Sequence, residues 1–352
     1  GRDDTGSGQQ FVSDIRNATL SRDLNTYRGF VPAARLEEAG LAASSWGGTI
    51  KFAKRPDGSF QGIFLGGGPY LSTQTATTVD ERLRTLLASD TPVSVPNASF
   101  RLNDVTTTQL AASFIGGYRG RFALANVPGE RSGLYVAANY RYLRGFRLED
   151  FTLGLRLDTD ASGLLTVNPA ATPLAIGRDS ATSGTGSAID VGVGAVLDRL
   201  EVGFGINGLG NHITWTDAER RTYTINSLLT GGEFVESAAT ALGERRIELQ
   251  VDYRGHAAYR SNTWSTSVEA GRTIQGNIFR GGLERWFGSV AARGGVRYVR
   301  QRWEPRGGIG LNLSPRVGLD VTAFSTSANL ERKRHLAIAT SIRINARTAG
   351  RG

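Results

Sequence analysis

The chain has 352 residues, a formal net charge of +9 and a mean hydropathy of −0.23. It has no run of about 18 apolar residues, which excludes a transmembrane helix, and no cysteine, which excludes disulfides, zinc–thiolate sites and a cysteine nucleophile. Glycine is frequent, at 46 residues, and proline is scarce, at 10, so the composition is not that of a disordered Pro/Gly-rich chain.

The positive charge comes almost entirely from arginine, because only Lys51, Lys54 and Lys333 are lysines. An excess of arginine favours anionic lipids, anionic solutes or nucleic acid as partners. It is equally consistent with a genome that favours arginine codons. The only nucleic-acid-like fragment is one Arg119-Gly120-Arg121 copy, so no nucleic-acid partner is predicted.

The N-terminal region is polar and irregular. The chain begins at Gly1 without methionine, which is typical of a mature, processed protein, with an edited chain as the alternative. We expect residues 1–46 to form an N-terminal extension or a plug, with one short helix within 32–43. Residues 47–345 are predicted to form the main β-structure, followed by a tail at 346–352.

The next hundred residues predict short elements. A hairpin is expected at 48–54 and 59–65, because Pro56-Asp57-Gly58 is a turn sequence. A helix is predicted at 79–88. Strands are predicted at 99–102, 107–116 and 120–127.

From Leu134 onward apolar and polar residues alternate clearly. Strands are predicted at 134–142 and 151–157, and a hairpin at 189–195 and 200–206 around Asp198-Arg199. Segments 158–186 and 208–245 are predicted as long loops, the second partly helical at 234–242. The last hundred residues predict seven strands, at 247–253, 264–270, 279–284, 290–298, 309–313, 317–323 and 336–343.

This pattern predicts an all-β fold, a transmembrane antiparallel β-barrel of about fourteen strands with a short polar and helical N-terminal segment. A soluble sandwich also alternates. Charged residues in strand centres suit a water-filled lumen, and aromatics at strand ends suit the membrane interfaces. These interfacial aromatics are Tyr140, Tyr142, Trp286, Tyr298 and Trp303.

The hairpin from Ala188 to Gly210 ends in Asn207-Gly208-Leu209-Gly210. It resembles a strand pair of the FadL-like outer-membrane barrels, in particular the PorV and conjugal-transfer TraF-like branch, over about residues 180–345. The resemblance implies a single-chain barrel that transports hydrophobic solutes or serves a secretion system. The chain departs from many outer-membrane barrels because no aromatic residue ends its last strand.

Neither catalysis nor a bound cofactor is predicted. The histidines His212, His256 and His335 form no metal-spaced pair, and no G-x-S-x-G sequence is present. The glycine runs at 66–68 and 307–308 lack the phosphate-loop pattern. We therefore predict no catalytic residue, no metal site and no enzyme activity.

The strongest site signal is a set of charges on the polar faces of successive C-terminal strands. The members of this predicted lumen cluster are Arg280, Glu284, Arg293, Arg297, Arg306, Asp320 and Arg343. Antiparallel pairing brings such residues within reach of one another. They form either an ion-paired wall that braces the lumen or the lining of an anion-selective path.

Two functions follow as hypotheses. The first is an outer-membrane barrel that transports a hydrophobic or anionic small solute. The second is a non-conducting structural or accessory barrel docked in a larger cell-envelope or secretion complex. Either would contact outer-membrane lipids and lipopolysaccharide, for which the basic run Arg332-Lys333-Arg334 is a candidate rim.

Overall fold

Antiparallel strands dominate the computed structural model of the protein, which describes residues 2–3, 6–124, 127, 132–168, 172–229, 231, 233–274, 276–299, 302–314, 317–325 and 336–344. The helices are α1 (Ser7–Asn17) and α2 (Glu81–Ala88), with a 3-10 turn at Leu24–Tyr27. The strands are β1 Arg2–Asp3, β2 Phe30–Val31, β3 Arg35–Ala43, β4 Trp46–Lys54, β5 Phe60–Val79, β6 Ser99–Phe122, β7 Gly133–Thr159, β8 Leu165–Thr166, β9 Leu174–Ala181, β10 Gly184–Leu197, β11 Leu200–Ile225, β12 Val235–Glu236, β13 Thr240–Glu248, β14 Asp252–Arg260, β15 Trp264–Thr273, β16 Gly276–Phe287, β17 Val290–Val299, β18 Arg302–Asn312, β19 Val317–Ser325 and β20 Leu336–Ile344.

Strands β3 to β20 form one antiparallel sheet. Three pairs of strands each run end to end along one partner: β3 and β4 along β5, β9 and β10 along β7, and β13 and β14 along β11. With each such pair taken as one span, and the two-residue strands β8 and β12 set aside, the described residues form thirteen spans in an up-and-down meander. In the sheet order β20 stands next to β3. The predicted fold class is confirmed.

The spans differ greatly in length. Strands β6, β7 and β11 have 24, 27 and 26 residues, whereas β14 to β20 have 9 to 12. A strand needs about 9–11 residues to cross a bilayer, so the long spans project well beyond the short ones. We call this projection, comprising the described parts of 73–108, 147–181 and 216–248, the lobe. The opposite end of the sheet, where the turn at Asp198 lies, is the hairpin end.

Several predicted elements are wrong, and all of them lie in or next to the lobe. Residues 35–43 form strand β3 rather than a helix, so the sheet begins before residue 47. No helix forms at 234–242, where the structure has the two-residue strand β12, irregular residues and the first three residues of β13. The two predicted loops contain β9 and the second half of β11. In the segments that the sequence did not reveal, such as 216–224 of β11, polar residues fall on both faces, so the apolar alternation of a half-buried strand is missing.

Other predicted strands have corrected bounds. The three predicted between 99 and 127 are one strand, β6, and the two between 134 and 157 are one strand, β7. The strand predicted at 247–253 is interrupted between β13 and β14. The predicted tail at 346–352 lies outside the described residues.

The helix predicted at 79–88 and the two predicted turns are confirmed. Helix α2 begins at Asp80, whose carboxylate accepts hydrogen bonds from the amides of Arg82 and Leu83. The turn between β4 and β5 has Gly58 at φ 81°, and the hairpin of β10 and β11 turns at Asp198 as predicted. No helix among the described residues is long and apolar enough to cross a membrane.

Two apolar cores lie on opposite faces of the sheet. Phe100 and Phe114 are an even number of residues apart in β6, so both side chains point to the outer face, where Phe114 is exposed. Phe100 packs in one core with residues of α1 and α2, so these helices lie on the outer face of the lobe. Their core is completed by residues from both helices and from the ends of the long strands, including Phe11, Leu24, Leu83, Leu87, Leu157, Leu174 and Ile225. The N-terminal residues therefore cap the lobe from outside.

The second core fills the interior beneath the lobe. Trp215 and Tyr70 have no exposed surface there, and they pack with Leu143, Leu148 and Ile213. The Trp215 ring fits because two glycines face it: a Cβ atom on Gly145 or Gly184 would lie only 2.6 or 2.8 Å from the ring. We call this cluster the Trp215 layer.

Candidate functional site: the charged interior

The outer and inner faces of the spans differ in chemistry. Large apolar side chains are exposed all around the outer face, among them Ile63, Phe114, Val193, Phe204, Leu283, Ile309 and Ile338. A continuous apolar surface of this extent is unusual for a soluble monomer. Away from the Trp215 layer, the inner face carries glycine, arginine and acidic residues instead.

The structure brings most of the predicted lumen cluster together on the inner face. Arg293 lies between Glu284, with which it forms an ion pair, and Asp320, whose Oδ1 is 2.7 Å from Nη1. Arg280 stands opposite Arg297 in the register of β16 and β17. The repulsion between these two guanidinium groups is compensated by acidic residues on the flanking strands β15 and β18.

Those acids are two residues that sequence reasoning missed. Glu269 on β15 lies 3.4 Å from Arg280, and Glu304 on β18 lies 3.7 Å from Arg297 and 3.2 Å from Arg306. Arg343 lies in β20, but its side chain is outside the described part of the chain. Because each described arginine of the cluster has an acidic partner, this geometry favours the bracing interpretation for these strands.

The predicted interfacial aromatics separate into two groups. Tyr140, Tyr142, Tyr298 and Trp303 lie on the outer face at the lobe side of the short spans, where Tyr298 and Trp303 have ring centroids 4.9 Å apart. The prediction that Trp286 is an interfacial aromatic is corrected. Trp286 lies on the inner face with Glu284, and its Nε1 donates a hydrogen bond of 2.7 Å to Oε1 of Glu284. Strand alternation turns its neighbour Phe287 outward instead.

A second group of outer aromatics lies at the hairpin end. The rings of Tyr259 and Trp264 are 5.2 Å apart there, and Phe287 is 58 % exposed. Sequence reasoning did not select Tyr259 or Trp264, although both flank the turn between β14 and β15. The outer face therefore has aromatic side chains at both edges of its apolar zone, as membrane barrels do.

A second ion-paired network lies inside the lobe. Arg245 forms ion pairs with Asp150 and Asp179, and Arg220 donates two hydrogen bonds to Asp179, of 2.7 and 2.9 Å. Both aspartates are only 2 % exposed. The network joins β7, β9, β11 and β13 across the interior. Sequence reasoning missed it because Asp179 lies in a segment predicted as a loop.

A cavity of about 760 Å³ opens between the Trp215 layer and the hairpin end. Its charged lining comprises Arg119, Arg199, Arg254, Arg260, Asp198 and Glu201, with His256 beside them. A second cavity of about 480 Å³ shares Glu201, His256 and Arg260 with the first and continues along the lumen cluster. The two cavities thus adjoin, and most of the charged residues that line them are arginines.

Most cations of the first cavity have an acidic partner. Arg254 is held by Asp252, with contacts of 2.6 to 3.0 Å, and Arg260 lies 3.5 Å from Glu201. Arg119 is different, because among the described residues no carboxylate lies within ion-pair distance of it. Its guanidinium lies instead over the Phe64 ring, 3.7 Å from the centroid.

Nothing in the described part of the chain forms a catalytic or metal-binding constellation. No group of three or more histidine and acidic ligands is found among the described residues. His256 lies 3.4 Å from Glu201, and His212 contacts a backbone carbonyl. His335 and the run Arg332-Lys333-Arg334 lie outside the described residues.

Known proteins give only distant likenesses. No protein-family model and no curated protein matches the chain. A triple mutant of Rhodopseudomonas blastica porin is similar at 11 % identity, with 80 % of this chain and 99 % of that one covered and a TM-score of 0.26. The ferric yersiniabactin uptake receptor FyuA of Yersinia pestis matches at 11 % identity, over 88 % of this chain and 57 % of the receptor, with a TM-score of 0.26.

The Ferric-Catecholate import receptor Fiu of E. coli K12 matches at 10 % identity, over 90 % of this chain and 62 % of the receptor, with a TM-score of 0.27. Scores of this size carry no argument about function, which must rest on the geometry of this chain. The resemblance to the FadL-like branch stays a prediction.

Proposed function

We propose that the protein is an outer-membrane barrel that admits small anionic solutes to its interior. The observation that carries this proposal is the positive charge of Arg119, which has no carboxylate within ion-pair distance among the described residues and lines a cavity of about 760 Å³. A cation inside a low-dielectric wall raises the local concentration of anions.

The proposed location rests on the outer face. Its exposed apolar side chains, the aromatics at both edges and short spans of 9 to 12 residues agree with the dimensions of a bilayer. Arg144 and Arg147 follow Tyr142 closely in β7, at the start of the lobe. At that level they are suited to contact the phosphates of lipid headgroups or lipopolysaccharide.

Planar-bilayer recording of the refolded full chain tests the transport proposal. Under a KCl gradient we expect a reversal potential that indicates preference for chloride over potassium. A liposome-swelling assay with small organic anions and matched cations checks the same preference by flux. Absence of both conductance and solute flux would overturn the proposal.

A second candidate is a structural or accessory barrel within a larger envelope complex. Two features favour this accessory role. The Trp215 layer fills the interior on the long-strand side, and the lobe with its helical cap offers a surface for a partner. This candidate predicts that a stoichiometric partner co-purifies from native membranes, and that removal of the cap residues 7–31 abolishes the association without loss of the barrel.

A further inference from the structure

We propose that the outer face carries a binding site for one phosphate-bearing lipid. An acyl chain of this lipid lies in an apolar groove on β11, β14, β15 and β16, and its headgroup phosphate binds Arg272. This inference goes beyond the proposed transport of solutes, and it rests on the proposed location of the outer face in a membrane.

The groove is a depression of about 620 Å³ whose outward-pointing side chains are all apolar. Its floor is formed by small residues, Gly255 and Ala257 of β14 and Ala270 of β15. The rings of Phe204 and Phe279 lie on either side, because both residues share one cross-strand row with the floor. Across four neighbouring strands the side chains of this row are thus large, small, small and large, which leaves a recess between the two rings.

The recess above Gly255 is not filled by the protein itself. A Cβ atom on this glycine would have no neighbour closer than 3.8 Å, where it would meet the carbonyl oxygen of Gly203 and Cδ2 of Phe204. Gly255 also lacks the positive φ that would require glycine. Neither packing nor backbone conformation explains the glycine, so the space is available to an acyl chain, which would contact apolar atoms on several sides.

Arg272 supplies a cation next to the groove. It lies two residues after Ala270 in β15, so both side chains point outward, and about 6.6 Å of strand separates them. Arg272 is exposed, and among the described residues no carboxylate lies within ion-pair distance of it. Its cross-strand neighbours are Tyr253 and Asn277, which are neutral and can donate hydrogen bonds to the same phosphate.

The level of Arg272 on the outer face matches that of a lipid headgroup. The row that contains Ala270 and Phe279 continues across the sheet to Tyr298 and Trp303, which belong to the aromatic group at the lobe side. Arg272 lies on the lobe side of this row. Because such aromatics mark the edge of the hydrocarbon region, the guanidinium lies among headgroups while the groove extends into the hydrocarbon.

The groove and the cation together select an anionic phospholipid. The guanidinium of an arginine donates two parallel hydrogen bonds to phosphate oxygens, and the groove receives an apolar chain of the same molecule. A soluble phosphate ester would leave the groove empty. A lipid without net charge would leave Arg272 without a full counter-charge.

Native mass spectrometry of the detergent-solubilised full chain tests the site. The probe is dimyristoyl phosphatidylglycerol, and dimyristoyl phosphatidylcholine is the zwitterionic lipid with the same chains. We expect the first phosphatidylglycerol to bind about fivefold more tightly than phosphatidylcholine, which is the gain expected for one arginine beside an anionic headgroup. Arg272→Gln should abolish this preference. Gly255→Leu, which fills the recess, should weaken the binding of both lipids at least about fivefold.

Two matched controls lie on the same outer face, away from the groove. Arg285→Gln removes an exposed arginine at the hairpin end of β16. Gly294→Leu adds a side chain at a glycine of β17 opposite Leu283, where a Cβ atom would have no neighbour within 4 Å. Each should change either affinity less than about twofold. Circular dichroism and heat-modified gel mobility establish that every variant is folded.

The outcomes separate the lipid site from the proposed function. Equal affinity for the two lipids, or a preference that survives Arg272→Gln, overturns the site and leaves anion transport standing. A dimer that Gly255→Leu dissociates assigns the groove to a second copy of the chain and overturns the site as well. Absence of conductance overturns transport alone, and monodisperse protein in detergent-free buffer overturns the membrane location on which the site rests.

Discussion

The indole Nε1 of Trp215 donates a hydrogen bond of 3.1 Å to Oε1 of Gln109, which is 106 residues away in the sequence. The bond joins β11 to β6 across the interior, past the intervening strands β7 and β10. A second contact nearby, from Asn211 Nδ2 to the hydroxyl of Tyr70 at 3.1 Å, joins β11 to β5. The long spans are therefore curled tightly enough for their inner faces to touch.

Replacement of Trp215 should open this contact. Trp215→Ala removes the largest fully buried side chain and leaves a cavity, so we expect a loss of about 3–5 kcal/mol in the free energy of unfolding together with higher single-channel conductance. Urea titration and bilayer recording measure the two effects. Trp264→Ala, on the outer face at the hairpin end, serves as the control and should leave conductance unchanged. A Trp215→Ala protein with unaltered conductance would show that solutes do not pass this layer.

Arg245 is predicted to stabilise the lobe more than any surface arginine. Arg245→Met leaves Asp150 and Asp179 buried without their shared partner, which should cost about 3–5 kcal/mol. Arg246→Met, whose side chain is 54 % exposed beside Glu248, should cost at most about 1 kcal/mol. Equal destabilisation in chemical denaturation of the two variants would contradict this account of the network.

The sequence predicts the short spans better than the lobe, for a physical reason. Leu283 and Arg293 occupy spans with one apolar and one polar face, so alternation reveals both the strand and the direction of each side chain. Asp150 and Asp179 lie where both faces are partly polar, and their pairing with Arg245 depends on a sheet curvature that no local pattern encodes. Trp286 is misplaced although the sequence carries the signal: it lies two residues after Glu284 in β16, so strand alternation puts both side chains on the inner face.

The hydroxyl of Tyr27 predicts a loss of stability at high pH. The pKa of Tyr27 is raised to about 12. Burial in the core of the N-terminal cap is the main cause, the amide of Ser21 that donates to the hydroxyl opposes it, and the Asp14 carboxylate, which accepts a hydrogen bond of 2.8 Å from the hydroxyl, adds to the rise. Between the ordinary pKa of 10.0 and about 12, the unfolded chain ionises while the folded chain stays neutral. The stabilisation that the neutral Tyr27 side chain gives to the folded state is therefore complete below pH 10 and is lost as the pH rises through about 12.

The measurement is the midpoint of unfolding of the cap as a function of pH, followed by near-ultraviolet circular dichroism. The difference in the pKa of Tyr27 between the folded and unfolded chains corresponds to a contribution of at most about 3 kcal/mol. Tyr27→Phe should remove the pH dependence over the interval between the two pKa values. A wild-type profile that stays flat over this interval would contradict the role of the buried hydroxyl.

Fluorescence quenching by brominated lipid should distinguish the two tryptophans that the sequence predicts at the membrane interface. Trp303 is 51 % exposed on the outer face, so bromine atoms in the acyl chains should quench it, whereas Trp286 faces Glu284 inside the barrel. In vesicles of brominated phosphatidylcholine, Trp303→Phe should lower the quenched fraction of the remaining emission. Trp286→Phe removes an emitter that lipid does not reach, so the quenched fraction should rise. A fall in both variants would place Trp286 in lipid and reverse the assignment of inner and outer faces in β16.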